Sequence, residues 1–474
     1  MITIGVDIGT TTITCLAWDF EQRRTLCSIG ATNTAETTST NDKRLGYSEW
    51  NAQQMVEDTI ACLGKLVDKL QTKAADVAGI GITGQQHGVV ILDNENEPLT
   101  PLVNWQDRRA EQTASDGTTF VDHARKRLGE SAPEHMGCRI APGYMGMTLF
   151  WWKEHNQLPT GTCCFITDYF ASALTEARPK SDSTMGASSG LLNVNHRRWD
   201  EDALAALELP KSLFPDLDEP TSQLGGLTSC HAEATGLKTG LPVFVGMGDN
   251  QAAFVGSVAD PKSSLLVNVG TGGQVGAWCN RFVFQPPLET RPFPVHGNLL
   301  VNAGLCGGRS YAALERFFTA VGEQLFGIQS TDSLFTKMNQ LAAQVAAGSD
   351  GLVCSPLFTG TRSEPHLRAS FGGADPENFT PAHMTRALLE GMVEVFCEGG
   401  ERIQSATGHK YTKLVGAGNG LRENEVLADM LTKAMQRDLM TPKHREEAAV
   451  GAALVAGVGC GICSDLDDAA KQIA

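Results

Sequence analysis

The sequence predicts an α/β protein made of two similar domains that face one another. At 474 residues, the chain is too long for one ordinary hydrophobic core, so two domains are expected. Strand-like and helical runs alternate along it, which is typical of α/β folds. The opening stretch at 3–11 also recurs at 264–273 as a buried strand, Gly-Thr and a small-residue turn. A repeat half a chain apart indicates duplicated domains, although strand, glycine turn and strand is common enough to coincide by chance.

The first half of the chain reads as strands separated by glycine, with one long amphipathic helix. That helix is predicted from apolar residues spaced by four and three positions between Val56 and Leu70, which form one stripe. In chain order we expect a strand over 2–8, a tight turn over 9–12, a return strand over 13–19, a helix over 50–70, a strand over 77–83, a hairpin from 89–93 and the turn at 94–96, a mixed segment over 150–174 and a buried strand over 241–245.

The second half is richer in helix. Pro381 is typical of a first helical turn, and the Gly-Gly pair at 399–400 predicts the end of that helix. No low-complexity or strongly charged linker separates the two halves, so we expect a hinge near 243–260. In chain order we expect strands over 264–269 and 275–278, a helix over 379–398, a strand over 413–415 and a closely packed small-residue helix over 446–458.

Composition argues against several classes of partner. The net charge is −16 and the pI is about 5.2, so no basic surface for a nucleic acid or a membrane is expected. The sequence has no apolar run of the roughly 18 residues that a membrane-spanning helix needs, and its first residues match no signal peptide. We therefore expect a cytoplasmic protein whose 13 cysteines are reduced and buried. The lone CxxC of Cys460 and Cys463 favours a structural role over a metal or redox site.

Glycine-rich turns after predicted strands are the first candidate binding elements. They are Gly-Thr-Thr at 9–11, Gly-Thr-Gly-Gly at 270–273 and Gly-Ala-Gly-Asn-Gly at 416–420. Glycine lets backbone N–H groups approach a ligand and threonine adds hydroxyl donors, an arrangement that binds phosphate. One such turn is better explained by hairpin geometry, whereas three in one chain favour a nucleotide site. None has the spacing of a P-loop or of a dinucleotide-binding motif.

Two carboxylates at the ends of predicted strands, Asp7 and Asp249, are the candidate catalytic groups. Both lie in apolar, glycine-rich surroundings, where an unpaired carboxylate is costly. Phosphoryl transfer uses carboxylates to hold Mg²⁺, often through water, and to accept the proton of the attacking hydroxyl. A helix N-cap before 250–253 explains Asp249 equally well. The glycine before it, Gly248, is expected to leave room for a ligand.

Polar side chains after two further strands suit a polyhydroxylated ligand. Gln85, Gln86 and His87 close one strand, and Trp105 begins a polar run that ends at Arg109. Amide and carboxylate groups can exchange hydrogen bonds with adjacent sugar hydroxyls, and an aromatic ring can cover the C–H face of the sugar. Taken singly, a structural histidine and a core tryptophan are the simpler interpretations.

Together, and in order over essentially the whole chain, these motifs resemble the FGGY family of carbohydrate kinases. The matching motifs are Ile-Gly-Val-Asp-Ile-Gly-Thr-Thr at 4–11, Gly-Gln-Gln-His-Gly at 84–88, Trp-Gln-Asp-Arg-Arg at 105–109, Gly-Asp-Asn-Gln-Ala at 248–252, Gly-Thr-Gly at 270–272, Gly-Ala-Gly at 416–418 and the alanine-rich helix at 448–453. The resemblance implies two actin-like (ribonuclease H-like) domains, 1–245 for the sugar and 246–474 for ATP. The catalytic cleft between them would close to exclude water.

The resemblance also implies a role for each candidate residue. Asp249 would be the general base on the sugar hydroxyl, and Asp7 with Asp249 would place Mg²⁺ through water. The sugar would be bound by Gln86, His87, Trp105, Asp107, Asp249 and Asn250. ATP would be bound by Gly9, Thr10, Thr11, Thr12, Gly270, Thr271, Gly272, Gly416, Ala417, Gly418 and Asn419.

The details of the motifs imply a ketose as the acceptor. The Gln-x-His-Gly element is similar to that of xylulokinases and sedoheptulokinases, and the stretches at 103–107 and 147–152 are more similar to those of sedoheptulokinases. We therefore expect sedoheptulose to be converted to sedoheptulose 7-phosphate, with D-xylulose to D-xylulose 5-phosphate as the alternative. Thr14, where the family commonly has Lys or Arg, and Gln86, where Met is usual, depart from the pattern. A non-catalytic sugar- or nucleotide-binding protein of the same fold is the competing interpretation, and a homodimer is compatible with the sequence.

Overall fold

Two mixed β-sheets with helices around them form the fold. The computed structural model describes residues 1–329, 333–361, 364 and 366–474. The strands of the first half are β1 (Ile2–Ile8), β2 (Thr12–Asp19), β3 (Arg24–Thr32), β4 (Glu49–Trp50), β5 (Val77–Gly84), β6 (Val90–Leu92), β7 (Leu102–Val103), β8 (Thr162–Cys164), β9 (Lys180–Ser181), β10 (Leu192–Asn193), β11 (Arg198–Trp199), β12 (Asp216–Leu217), β13 (Gln223–Gly226), β14 (Pro242–Phe244) and β15 (Met247–Gly248). Its helices are α1 (Thr40–Arg44), α2 (Ala52–Leu70), α3 (Phe120–Leu128), α4 (Ala132–Met136), α5 (Met145–Glu154), α6 (Ile166–Thr175), α7 (Ser183–Ser188), α8 (Glu201–Ala206) and α9 (Ser229–Thr235).

The second half adds eight strands and eight helices within the described residues. The strands are β16 (Ser264–Val269), β17 (Gly273–Cys279), β18 (Glu289–Pro292), β19 (Asn298–Leu305), β20 (Val353–Ser355), β21 (Ser370–Gly372), β22 (Lys413–Ala417) and β23 (Leu439–Met440). The helices are α10 (Asp249–Ser257), α11 (Gly308–Phe326), α12 (Phe335–Gln344), α13 (Pro381–Thr407), α14 (Asn419–Arg422), α15 (Glu425–Met435), α16 (Glu447–Gly459) and α17 (Leu466–Ala470).

The two large sheets repeat one arrangement of strands. The first has the order β13-β14-β5-β1-β2-β3, with β15 also paired to β5, and the second has the order β18-β19-β17-β16-β22-β23. In the first sheet β1 pairs antiparallel with β2 and parallel with β5. In the second, β16 pairs antiparallel with β17 and parallel with β22. The repeat predicted from the sequence is therefore confirmed at the level of strand pairing.

Helices α10 and α16 pack between the two sheets. One apolar cluster joins Leu16 of β2 and Leu266 of β16 to Phe254 of α10. The small residues of α16 allow very close approach, since a Cβ at Gly451 would lie 1.9 Å from the Ala252 carbonyl oxygen. The close packing predicted for this helix is thus confirmed. Because α10 and α16 contact both sheets, the domain boundary between 245 and 246 stays a prediction.

The predicted end of one helix was wrong, whereas a predicted hairpin was confirmed. The helix predicted to end before 399 continues as α13 to Thr407 and stops at Gly408, whose φ is +67°. Gly399 is needed for packing rather than termination, since its Cβ would lie 3.1 Å from Nδ2 of Asn302. The hairpin predicted from 89–93 and the turn at 94–96 is confirmed in an irregular form, since Leu92 bridges antiparallel to Pro98 and Val89 to Val103. The Asp93 N–H donates to the Glu97 carbonyl at 2.9 Å across the turn. Strand β6 also pairs with the distant β8.

The described helices and the cysteines bear on the expectations about membranes and redox state. Among the helices of the described chain, none combines the length and the apolar character that crossing a membrane requires. All 13 cysteines are free thiols. Of the CxxC pair, Cys463 is buried, and Sγ of Cys460 donates to the Ala78 carbonyl at 3.4 Å, so both act as packing residues in this structure.

Candidate active site

The carboxyl ends of β1, β5 and β15 meet at one edge of the first sheet and bring Asp7 and Asp249 together. Strand β5 runs parallel to both neighbours, so Asp7 pairs with Thr83, and Thr83 pairs with Met247. Strand β15 ends at Gly248, and Asp249 is the first residue of α10. Two carboxylates from motifs far apart in the chain therefore lie at one strand edge, where parallel strands characteristically bind ligands.

The start of α10 orients Asp249. Its N-cap residue is Gly248, so the interpretation of Asp249 as the N-cap is wrong by one position. Oδ1 of Asp249 accepts a hydrogen bond from the Asn250 N–H at 2.7 Å, and the free N–H groups of a first helical turn favour a negative charge. A Cβ at Gly248 would lie 2.3 Å from Nε2 of Gln86. This glycine therefore makes room for a protein side chain, not for a ligand as expected.

Burial raises the pKa of both carboxylates. The pKa of Asp7 is raised to about 7, first by burial and then by the negative charges of Asp249 and Glu446. Burial raises the pKa of Asp249 to about 6, against the opposing effects of the Asn250 N–H and the Arg291 charge. Oδ1 of Asp7 is buried and has no hydrogen-bond partner among the described residues. A buried oxygen without a donor, next to a second carboxylate, is suited to a hydrated cation.

Asp7 and Asp249 are the residues that could hold Mg²⁺. Within the described ranges, no three His, Cys, Asp or Glu side chains are grouped so that they could hold a metal ion. Mg²⁺ usually keeps several waters and binds through one or two carboxylates together with substrate phosphates, so two carboxylates are sufficient. Gln85 lies beside this edge, since its backbone N–H donates to the Ile8 carbonyl at 3.0 Å. Its buried Nε2, which has no partner among the described residues, is a donor and so fits a ligand oxygen, not a cation.

Gln86 and His87 form a rigid wall after β5. Nε2 of Gln86 donates to the Thr184 carbonyl at 3.0 Å. The His87 N–H donates to Oγ of Ser188 at 3.0 Å, and its ring Nδ1 lies 2.7 Å from the Ser188 carbonyl oxygen. The imidazole also stacks on Tyr144 with ring centroids 4.2 Å apart. Thr184, Ser188 and Tyr144 were missed, because no local motif connects α5 and α7 to β5.

Trp105 reaches the first glycine turn. Its side chain is 41% exposed, and its Nε1–H donates to Oγ1 of Thr10 at 2.9 Å. The Thr10 hydroxyl donates in turn to Oε1 of Gln85 at 2.8 Å. The structure therefore brings a residue predicted to bind the sugar against one predicted to bind ATP, and it excludes the interpretation of Trp105 as a core residue.

Asp107 is buried, and both of its carboxylate oxygens are hydrogen-bonded to other protein groups. It is 1% exposed, and its Oδ1 accepts from Nε of Arg109 at 2.9 Å while its Oδ2 accepts from the Ser48 N–H at 2.8 Å. The Arg109 guanidinium is itself buried over the Tyr47 ring, with Cζ 4.6 Å from the ring centroid. Direct contact of Asp107 with a sugar therefore has no support in this geometry, and the residue holds its own loop together.

The glycine turns of the second sheet are neighbours. Asn268 of β16 pairs with Ala417 of β22, so the loops that follow these parallel strands emerge side by side. Gly418 has φ of +82°, and a Cβ there would lie 2.5 Å from the Val269 carbonyl oxygen, which requires glycine. Asn419, the next residue, is exposed. The tip of the other loop, 270–272, is also exposed.

A further glycine pair supports the 270–272 turn. The Gly308 N–H donates to the Gly270 carbonyl at 2.9 Å, and the Arg309 N–H donates to the Thr271 carbonyl at 2.9 Å. The first turn, in the other sheet, is closed in a similar way, since the Gly9 N–H donates to the Thr12 carbonyl at 3.0 Å. Gly308 was missed, although a Gly-Gly pair after the apolar run at 299–305 is a signal that could have predicted it.

Arg291 of β18 is the most notable residue that the sequence reasoning missed. Its Nη1 donates to Oδ1 of Asn250 at 2.9 Å, and its charge acts on Asp249. No glycine, motif or periodicity marks this arginine, which lies some forty positions after the residues that it contacts. Chain folding alone places it at the site.

Comparisons with known proteins agree with this architecture. Residues 2–256 match the N-terminal domain and residues 302–460 the C-terminal domain of the FGGY family of carbohydrate kinases. The chain is 24% identical to a xylulose kinase of Lactococcus lactis over 99% of this chain and 90% of that protein.

Solved structures show the same two-domain, actin-like (ribonuclease H-like) fold. A xylulose kinase from Rhodospirillum rubrum aligns with a TM-score of 0.87 and 24% identity, over 100% of this chain and 92% of that one. A gluconate kinase from Lactobacillus acidophilus aligns with a TM-score of 0.87 and 20% identity, over the same shares. The match to the N-terminal domain alone, residues 2–256, spans more than half of the 474 residues, and the match to the C-terminal domain follows it in order. This chain therefore belongs to the FGGY family of carbohydrate kinases.

Proposed function

We propose that the protein catalyses the ATP-dependent phosphorylation of a ketose, with Asp249 as the general base. The observation that carries the proposal is the position of Asp249, a carboxylate at the start of α10 on the strand edge that also holds Asp7. Gln86 lies directly against the preceding residue, Gly248. A general base must lie within hydrogen-bond reach of the proton that it accepts, and a sugar bound along this wall would present a hydroxyl there.

In this proposal the chain positions two reactants and moves one proton. Asp249 accepts the proton of the attacking hydroxyl, and its pKa, raised to about 6, leaves it ionised at neutral pH yet basic enough to act. The loops at 9–12, 270–272 and 416–419 bind ATP through backbone N–H groups and hydroxyls. Mg²⁺, when bound, neutralises charge on the β- and γ-phosphates, and Asp7 with Asp249 would hold it through water.

Two ketoses are candidates for the substrate, and a different observation supports each of them. The motif details favour sedoheptulose, whereas the relative and one of the solved structures described above are named xylulose kinases. At 24% identity those names support D-xylulose at least as well as the motifs support sedoheptulose. We therefore propose D-xylulose and sedoheptulose as the two substrates to be tested first.

A panel of acceptors with an assay coupled to ADP release tests the proposal. Sedoheptulose, D-xylulose, gluconate and glycerol are compared at equal concentration with MgATP. We expect turnover with at least one of the two ketoses and much less with gluconate and glycerol. Tight binding of ATP without phosphorylation of any acceptor would instead support the non-catalytic alternative. The same panel without Mg²⁺ tests the metal, since turnover should then be lost.

A further inference from the structure

Strand β18 and the residue that follows it, Phe293, support the first turns of α10 through three successive contacts. Arg291 donates to the Asn250 side chain at 2.9 Å. Nε2 of the next helix residue, Gln251, donates to the Pro292 carbonyl at 3.1 Å. Beyond it, the rings of Phe254 and Phe293 meet edge to face with centroids 5.7 Å apart. The strand, which lies in the second half of the chain, therefore determines where the sugar-facing end of α10 lies.

Arg291 is itself held in place by a second residue of the same strand. Its Nε donates to Oε2 of Glu289 at 3.1 Å, and its Nη2 donates to the same oxygen. The two side chains are only 13% and 10% exposed. A buried, paired guanidinium has little freedom to move, so the position of its Nη1 is well defined.

The contact with Arg291 decides which way the Asn250 amide faces. A guanidinium has N–H donors and no acceptor, so it can meet the carbonyl Oδ1 of Asn250 but not Nδ2. The amide flip is therefore determined by chemistry. No described residue accepts a hydrogen bond from Asn250 Nδ2. Both N–H groups of this amide thus have no acceptor in the part of the chain that the structure describes, and they can donate to a ligand.

We propose that Arg291 is a positioning residue for sugar recognition: by binding Asn250 Oδ1, it makes Asn250 present N–H donors to a substrate oxygen. This inference rests on the proposed function. It predicts that Asn250 binds an acceptor atom of the sugar, a hydroxyl or carbonyl oxygen, and does not accept a hydroxyl proton. Glu289 contributes by fixing the guanidinium.

Steady-state kinetics of a double-mutant cycle test the proposal. Arg291→Met removes the donors at similar length, and Asn250→Ala removes the amide. We expect Arg291→Met to raise KM for the ketose roughly five- to twentyfold, the effect of losing one well-placed hydrogen bond, with KM for ATP changed less than twofold. In KM for the ketose, the double variant should be no worse than Asn250→Ala alone, because this effect of Arg291 acts through that side chain. Loss of the Arg291 charge near Asp249 is expected to change kcat instead.

Three further variants separate positioning from general support. Arg291→Lys keeps one donor and should recover part of the loss in KM. Arg281→Met is the matched control, since Arg281 is exposed and donates to the distant Thr407 carbonyl; it should leave both KM values unchanged. If Arg291→Met fails to fold, a variant that carries both Glu289→Gln and Arg291→Met replaces it in the cycle. This variant removes both buried charges, so neither is left unpaired.

The outcomes distinguish this inference from the proposed function. Suppose that the wild-type enzyme turns over a ketose. The role of Arg291 alone would then be overturned if Arg291→Met changed KM for the ketose less than twofold, or if it raised KM further in the Asn250→Ala background. A wild-type protein that turns over no ketose would overturn the proposed function, and this inference with it.

Discussion

Trp105 donates a hydrogen bond from Nε1 to the Thr10 hydroxyl at 2.9 Å, and that hydroxyl donates to Oε1 of Gln85 at 2.8 Å. The three residues come from three separate motifs, one assigned to ATP and two to the sugar side. A single threonine hydroxyl thus links the two halves of the proposed substrate site. If the site works as proposed, binding of one substrate should depend on residues assigned to the other.

Replacing Thr10 with Val tests this link. The substitution keeps the shape of the side chain but removes the hydroxyl, so the Trp105 N–H and the Gln85 amide lose their partner. We expect KM to rise several-fold for both ATP and the ketose, at about 1 kcal/mol for each lost hydrogen bond. Trp105→Phe is the control that keeps an aromatic ring and removes the N–H. A rise in KM for ATP alone would show that the two sites are independent.

Asp249→Asn should abolish most turnover. An amide of the same shape cannot accept the hydroxyl proton, and general base catalysis contributes roughly 10²–10⁴-fold. We expect kcat to fall by that factor while ATP still binds, as measured by calorimetry. Asp200→Asn is a suitable control, because Asp200 caps helix α8 by accepting the Ala203 N–H at 3.1 Å and is none of the candidate site residues. An Asp249→Asn enzyme with near-normal kcat would disprove the assignment.

The metal-free protein should lose stability as the pH rises from about 4 to about 7. The folded-state pKa values of Asp7 and Asp249 are raised from 3.8 to about 7 and about 6, so the folded state binds more protons than the unfolded state in this window. The stabilisation is complete below the unfolded pKa and is lost as the pH rises through the folded values. Tm measured in EDTA across this range should fall less in Asp7→Asn than in wild type, and MgATP should restore wild-type stability near pH 7.5. Equal slopes for the two proteins would contradict the assignment of Asp7.

Asp107→Ala should reduce stability rather than sugar affinity. The substitution leaves the Arg109 guanidinium, 2% exposed, with only part of its pairing, and breaking a buried ion pair costs roughly 3–5 kcal/mol. Urea unfolding should show this loss in the absence of any sugar, and Asp107→Ala combined with Arg109→Met should recover part of it. A stable Asp107→Ala protein with a greatly raised KM for the ketose would restore the direct sugar contact.

Gly451→Ala should move α10 and so affect both stability and turnover. The added Cβ would lie 1.9 Å from the Ala252 carbonyl oxygen, and such overpacking costs roughly 1–3 kcal/mol. Because Asp249 begins α10, we expect kcat to fall as well. Gly400→Ala is the matched control in another helix, since its Cβ would meet only side-chain atoms, the nearest at 3.3 Å. A neutral effect of Gly451→Ala would show that α10 and α16 can separate without cost.

Many of the strands and helices were predictable from the sequence, because they depend on local patterns. Alternation and a following Gly-Thr predicted β1–β2 and β16–β17, and small residues predicted the tight packing of α16. The helix α13 was predicted too short, since the glycines at 399–400 resemble a helix end although Gly399 lies against Asn302 of β19. A glycine required by packing and one required by a helix end look identical in sequence.

The sequence by itself determined the family, the strand–turn–strand repeat and the two carboxylates, because each is recognised from a short motif of neighbouring residues. The tertiary structure decided that Arg291 meets Asn250, that Tyr144 stacks on His87, and that Asp107 is bonded to Arg109 and Ser48 rather than open to a sugar. These contacts join positions that share no periodicity or motif. Their physical reason is burial: most enclosed polar groups find a hydrogen-bond partner, Oδ1 of Asp7 being an exception, and which partner lies within reach depends on how distant segments pack.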